Sequence, residues 1–108
     1  MAVGLRTREG CHRAQPRRRS PTTAVDSDRM AARVKREFLH AWGGYRNHAW
    51  GHDDLRPLTR SYRDWYGSPL LMTPVDALDT MILMGLNEEV SRTKELILSS
   101  LSFDRDIL

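Results

Sequence analysis

Asp76 and Asp79 stand three residues apart in Thr73-Pro74-Val75-Asp76-Ala77-Leu78-Asp79-Thr80-Met81. On a helix this spacing places both carboxylates on one face. Two acids on one face suit sugar hydroxyls, an Arg partner or a metal ion. A plainer reading stands beside that one. Asp76 falls in the first turn of its helix, where a negative charge is favourable whatever else it does. Asp79 is harder to dismiss, because it sits among Leu78, Met81 and Ile82, where an acid is unfavourable unless partnered. A second concentration of polar groups, His48, Trp50, His52, Asp53 and Asp54, occupies one loop. His52-Asp53-Asp54 serves either to cap a turn and bind Arg or to face a ligand, and the structural role is the favoured one. Trp42, Trp50 and Trp65 have the rings to stack on sugars, although aromatics in a small helical body more often pack.

Other chemistries have no support. The chain has no Gly-rich phosphate loop, no His-Glu-x-x-His and no calcium-loop pattern. Cys11 is the single cysteine, so neither an intrachain disulfide nor a Cys-based zinc site is possible. The net charge of +3 is unevenly placed. Residues 1–25 carry six Arg against one Glu, whereas the rest carries eleven basic and thirteen acidic groups. A case for nucleic-acid binding would rest on the tail alone, and none is expected. No apolar run is long enough for a transmembrane helix. Residues 1–25 lack the apolar stretch of a signal peptide, so the compartment is left unassigned.

The elements that must hold these groups are helical. Residues 1–26 have no period and read as a disordered Arg-rich tail. From Met30 the apolar positions Val34, Phe38, Ala41, Trp42 and Tyr45 follow at steps of three and four, one face of a helix that Ser27 or Asp28 would cap. Gly43-Gly44 inside it suggests close packing or a kink. Residues 51–69 read as a turn-rich loop anchored by Trp65 and Tyr66. A second helix is expected to start with Thr73 as cap and Pro74 at its first helical position, and to end at Gly85. A third opens at Asn87-Glu88-Glu89. No strand pattern stands out. The chain carries more apolar stripe than three helices can cover mutually, which marks residues 27–108 as part of a larger all-α domain.

Three ordered blocks carry a resemblance. They are Ala41-Trp42-Gly43-Gly44-Tyr45 with Ala49-Trp50-Gly51-His52-Asp53-Asp54-Leu55-Arg56-Pro57-Leu58; Thr73-Pro74-Val75-Asp76-Ala77-Leu78-Asp79-Thr80-Met81 with Met84-Gly85-Leu86; and Leu101-Ser102-Phe103-Asp104-Arg105-Asp106. Together they resemble the opening of the class I α-1,2-mannosidases, glycoside hydrolase family 47. The resemblance implies the first helices of an (α/α) seven-fold barrel, here incomplete. It also implies inverting hydrolysis of terminal α-1,2-linked mannose from oligosaccharides, with a bound Ca²⁺ and action in secretory compartments or outside the cell. An inverting pair of carboxyls stands roughly 6.5–9.5 Å apart. The family's general acid is a Glu of a Phe-Glu motif that follows the segment matching Phe103-Asp104. Its base and its calcium ligand lie later still. No catalytic or metal residue is therefore expected in this chain, and the chain alone is expected to be inactive. Asp76 and Asp79 match acidic positions near the barrel mouth and become candidate substrate-binding residues, with His52 and Asp53 as weaker ones. A small helical interaction module with a basic tail and no catalysis is the alternative reading.

Overall fold

A computed structural model describes residues 22–106. Three helices and one hairpin follow in order: α1 (Thr22–His48), β1 (Asp54–Arg56), β2 (Ser61–Arg63), α2 (Met72–Leu83) and α3 (Asn87–Ser100). Helix α1 begins at Thr22, not at the expected cap Ser27 or Asp28, so residues 22–26 belong to the helix and not to a tail. Residues 1–21, where the rest of the expected tail falls, lie outside the described residues. The helices bear out the reading of a mainly α structure; a seven-fold barrel is not something three helices display.

Only the second half of α1 reaches the core. Trp42 and Tyr45 are buried on its inner face, Ala49 is buried just past its end, and Met81 of α2 meets them. Phe38, Trp50, Leu55, Ala77, Leu78, Leu86 and Val90 pack around this cluster. The aromatic rings run as a ladder: Phe38 stacks on Trp42, Trp42 on Tyr45, and Trp50 closes edge-on against Trp42. The stripe continues N-terminally as Met30 and Val34, but both are more than half exposed. The periodicity correctly marks one face, and the described elements cover only its C-terminal part.

An acid joins α1 to α3. Glu89 Oε2 accepts from the Trp42 indole N–H at 2.9 Å, and Glu89 Oε1 from the Arg46 guanidinium at 2.7 Å. Glu89 is therefore more than a helix-start charge. Its neighbour Glu88 is exposed and pairs only with Arg92, one turn along the same helix.

Between α2 and α3 the chain turns in three residues. Gly85 has φ 68°, its N–H donates to Ile82 O, and Leu86 N–H donates to Met81 O. These are the two bonds of a Schellman motif, and the left-handed position suits a residue without Cβ. The expected end of the helix at Gly85 is thus confirmed.

Two expectations fail. The segment expected to be a loop without strands contains an antiparallel hairpin, with Leu55 opposite Tyr62 and Asp54 opposite Arg63. Its strands are three residues long and carry charged ends, too short for an alternation to register. Of the Gly43-Gly44 pair, only Gly44 shows close packing, and it is against this hairpin: a Cβ there would stand 3.3 Å from Leu55 Cδ2, while Gly43 faces open space. The second failure is the start of α2. The helix begins at Met72, with Leu71 before it in the left-handed conformation, so Thr73 is inside the helix and caps nothing.

Tyr45 gives the core a pH dependence. It is 2% exposed, its hydroxyl donates to His52 O at 2.8 Å, and burial pushes its ionisation well above the ordinary 10.0. The unfolded chain loses this proton first, so alkali favours unfolding. Tyr45's contribution is complete below about pH 10 and declines as the pH rises beyond it. Urea unfolding of wild type and Tyr45→Phe checks this. The variant should lose about 1 kcal/mol near neutral pH, and its further loss above about pH 10 should be smaller than that of wild type.

Candidate functional site

Of the residues expected in one loop, His48 belongs to the end of α1 and Trp50 packs on the core, whereas His52 and Asp53 do come together, with Asp53 at the centre. Its side chain is fully buried. One oxygen, Oδ1, accepts from the backbone N–H of Leu70 at 2.7 Å and of Met72 at 3.3 Å. The other, Oδ2, accepts from Trp65 N–H at 3.1 Å. Its carbonyl oxygen accepts twice from Thr73, from the backbone N–H at 3.1 Å and from the hydroxyl at 2.6 Å. A buried carboxylate is tolerable only when hydrogen bonds replace its lost water, and three N–H donors do so here.

The arrangement explains the unusual start of α2. A left-handed Leu costs energy, of order 1–3 kcal/mol. Leu71 adopts φ 55° nonetheless, and its side chain is 1% exposed. The two N–H groups held by Asp53 Oδ1 belong to the residues on either side of it. One carboxylate oxygen thus clamps the left-handed turn, and burial of the Leu side chain offsets the strain.

His52 lies at the edge of this web. Its Nδ1 is 3.0 Å from Asp64 Oδ2, and its ring stacks on Tyr62 at 3.4 Å between centroids. Asp64 also accepts from Asp53 N–H at 3.1 Å. A carboxylate accepts from the ring nitrogen, so Nδ1 carries the hydrogen and Nε2 is left as the other ring position. Sequence reasoning missed Asp64. It stands beyond the turn from His52, and nothing in its local pattern announces the pairing.

Asp76 and Asp79 are placed differently. Both are exposed on α2, past the Thr73 turn that Asp53 fixes. Asp79 is exposed, not enclosed by the apolar residues beside it in sequence, and it does have a partner: its Oδ1 accepts from the N–H of Thr80 at 2.6 Å. The apolar residues around it in sequence point elsewhere: Met81 into the core, Ile82 towards solvent. Among the described residues no hydrogen bond or ion pair joins Asp76 or Asp79 to His52 or Asp53. Trp65 and Tyr66, expected to anchor the loop by packing, are each about half exposed. The anchor is the Asp53 carboxylate instead. Trp42 and Trp50 do pack, as the plainer reading held.

Beside these polar groups runs a groove of about 310 Å³, lined by Phe38, Trp42, Tyr45, Asp54, Leu55 and Thr73 among others. No three His, Cys, Asp or Glu side chains gather to hold a metal ion among the described residues. No helix among them is long and apolar enough to cross a membrane.

Comparison with known proteins places this assembly. The family model for glycosyl hydrolase family 47 matches residues 37–107, which include the hairpin, the Asp53 web and both short helices. The endoplasmic reticulum mannosyl-oligosaccharide 1,2-alpha-mannosidase of Homo sapiens is 47% identical over 70 residues, covering 65% of this chain and 10% of its own length. Mannosyl-oligosaccharide 1,2-alpha-mannosidase MNS1 of Arabidopsis thaliana is 42% identical over 87 residues, covering 81% of this chain and 15% of its own. ER degradation-enhancing alpha-mannosidase-like protein 2 of Mus musculus is 39% identical over 85 residues, covering 79% and 15%. The chain thus spans about a tenth to a seventh of the relatives it matches.

The web predicts a sharp contrast between adjacent acids. Asp53→Ala leaves three N–H donors without their acceptor and should cost at least about 3 kcal/mol, at roughly 1 kcal/mol or more per buried group. Asp54→Ala removes a half-exposed contact and should cost less than about 1 kcal/mol. Urea unfolding followed by circular dichroism measures both.

Proposed function

Because this chain belongs to glycosyl hydrolase family 47, we propose that it supplies the opening helices of an enzyme that removes terminal α-1,2-linked mannose from oligosaccharides. The observation that carries the reading is the match over residues 37–107, together with relatives whose names state that activity. In the inverting reaction water attacks the anomeric carbon and the bond to the leaving sugar oxygen breaks. An acid protonates that oxygen and a base takes the proton of the water. None of the described acids is assigned either role. Asp53 and Asp64 are committed to the loop web and Glu89 to the α1–α3 junction.

Asp76 and Asp79 are the residues of this chain proposed to meet substrate. They lie on one exposed face of α2, on the helix whose start Asp53 fixes. Carboxylates so placed accept hydrogen bonds from sugar hydroxyls. His52 and Asp53 act at one remove: they hold the loop and the first turn of α2 in register with that face. The family's calcium ion takes six to eight oxygen ligands, whereas the described residues gather no such set. The ion would serve the intact enzyme's sugar and water chemistry, and no step is assigned to it through these residues.

The chain by itself is proposed to be inactive. Incubated with α-1,2-mannobiose and Ca²⁺, it should release no mannose above buffer. The positive arm grafts residues 37–107 in place of the matching segment of an intact 1,2-alpha-mannosidase; the graft should retain hydrolysis. In that graft Asp79→Ala should lower kcat/KM by about tenfold or more, the equivalent of at least ~1.4 kcal/mol. Glu88→Ala, which loses only a surface ion pair, should stay close to the parent. Equal rates for the two variants would remove Asp79 from the substrate site.

A further inference from the structure

The chain has three tryptophans, and two of them pack around the core cluster. Trp65 does not. It is 50% exposed, yet its indole is held from several directions. Its backbone N–H donates to Asp53 Oδ2 at 3.1 Å, and its indole Nε1–H donates to Asp54 Oδ2 at 2.5 Å. The Arg63 guanidinium lies over the ring, 5.4 Å from a ring centroid. Asp54 and Arg63 are cross-strand partners in the hairpin, so their side chains share one of its faces. The fold therefore fixes a large aromatic plane in contact with water, between a carboxylate and a guanidinium.

We propose that Trp65, flanked by Asp54 and Arg63, is a binding platform for an α-mannoside unit of the substrate oligosaccharide. The chemistry of the three groups matches a pyranose. One side of a sugar ring presents C–H groups, which lie flat on an indole. Its edge presents hydroxyls that both donate and accept. Asp54 Oδ1 accepts, since only Oδ2 is used by the indole, and the Arg63 guanidinium donates in a fixed fork. The indole is held before any ligand arrives, so little conformational freedom is lost when one binds. The Asp53 carboxylate anchors the loop, so the indole is not needed for that task. The choice of mannose over other hexoses rests on the function proposed above; the platform itself rests on the hairpin geometry.

The test is a titration of the ¹⁵N-labelled 108-residue chain with α-1,2-mannobiose, with cellobiose as the control sugar. The Trp65 indole N–H resonance should shift saturably, with a dissociation constant on the order of 1 mM. The Trp42 indole N–H, held by Glu89, should not move. Trp65→Ala should abolish the binding. Arg63→Gln, which keeps the indole, should weaken it about tenfold, and it decides the matter if Trp65→Ala loses helical circular dichroism. No saturable shift, an equal response to cellobiose, or undiminished binding by Arg63→Gln would overturn the proposal. The outcome is separable from the glycosidase reading. A grafted enzyme that hydrolyses mannobiose while Trp65 stays silent removes the platform alone. Binding by Trp65 beside a graft that releases no mannose removes the activity alone.

Discussion

The buried carboxylate of Asp53 is the constraint on which the rest of the site depends. A carboxylate without water needs donors, and the chain brings it three backbone N–H groups from residues well separated in sequence. In meeting that need the chain fixes the return of the hairpin at Trp65, the left-handed Leu71 and the first turn of α2. The loop closes over the acid with a donor for each of its oxygens, which is the condition for leaving it buried. Thr73 completes the link by giving both its N–H and its hydroxyl to the Asp53 carbonyl.

This constraint explains why the helices and the site differed in legibility. The stripe through Phe38, Trp42 and Tyr45 and the Gly85 stop are local patterns, and each is found where the sequence puts it. The Asp53 web is not local. Nothing in His52-Asp53-Asp54 says that the middle acid is fully buried and that its neighbours are only partly so, because the donors come from residues 65, 70 and 72. Thr73-Pro74 reads as a cap and first turn by type alone. That reading failed because a tertiary acceptor took the Thr hydroxyl and the helix began earlier. The strands escaped notice for a related reason: Asp54-Leu55-Arg56 and Ser61-Tyr62-Arg63 bury mainly Leu55, against Gly44, and one apolar residue per strand makes no period.

The acids of the chain divide into those consumed by structure and those left on the surface. Asp53, Asp64 and Glu89 are consumed, each tying segments distant in sequence. Asp76 and Asp79 are left exposed on the helix that the first group positions. The motif that carries the resemblance contains both kinds, and the structure separates the buried acid that builds the loop from the exposed ones.

The three-residue link at Gly85 has a kinetic consequence. Its Schellman bonds bring α2 and α3 together with almost no loop to close, so their pairing carries a small entropic cost and forms early in folding. The start of α2 has no such advantage. Its left-handed Leu71 is held by the Asp53 carboxylate and by burial of its own side chain, so the first turn depends on contacts outside the helix. The segment leading to Asp76 and Asp79 therefore owes its order to partners distant in sequence, and the other end of the same helix to its own neighbours.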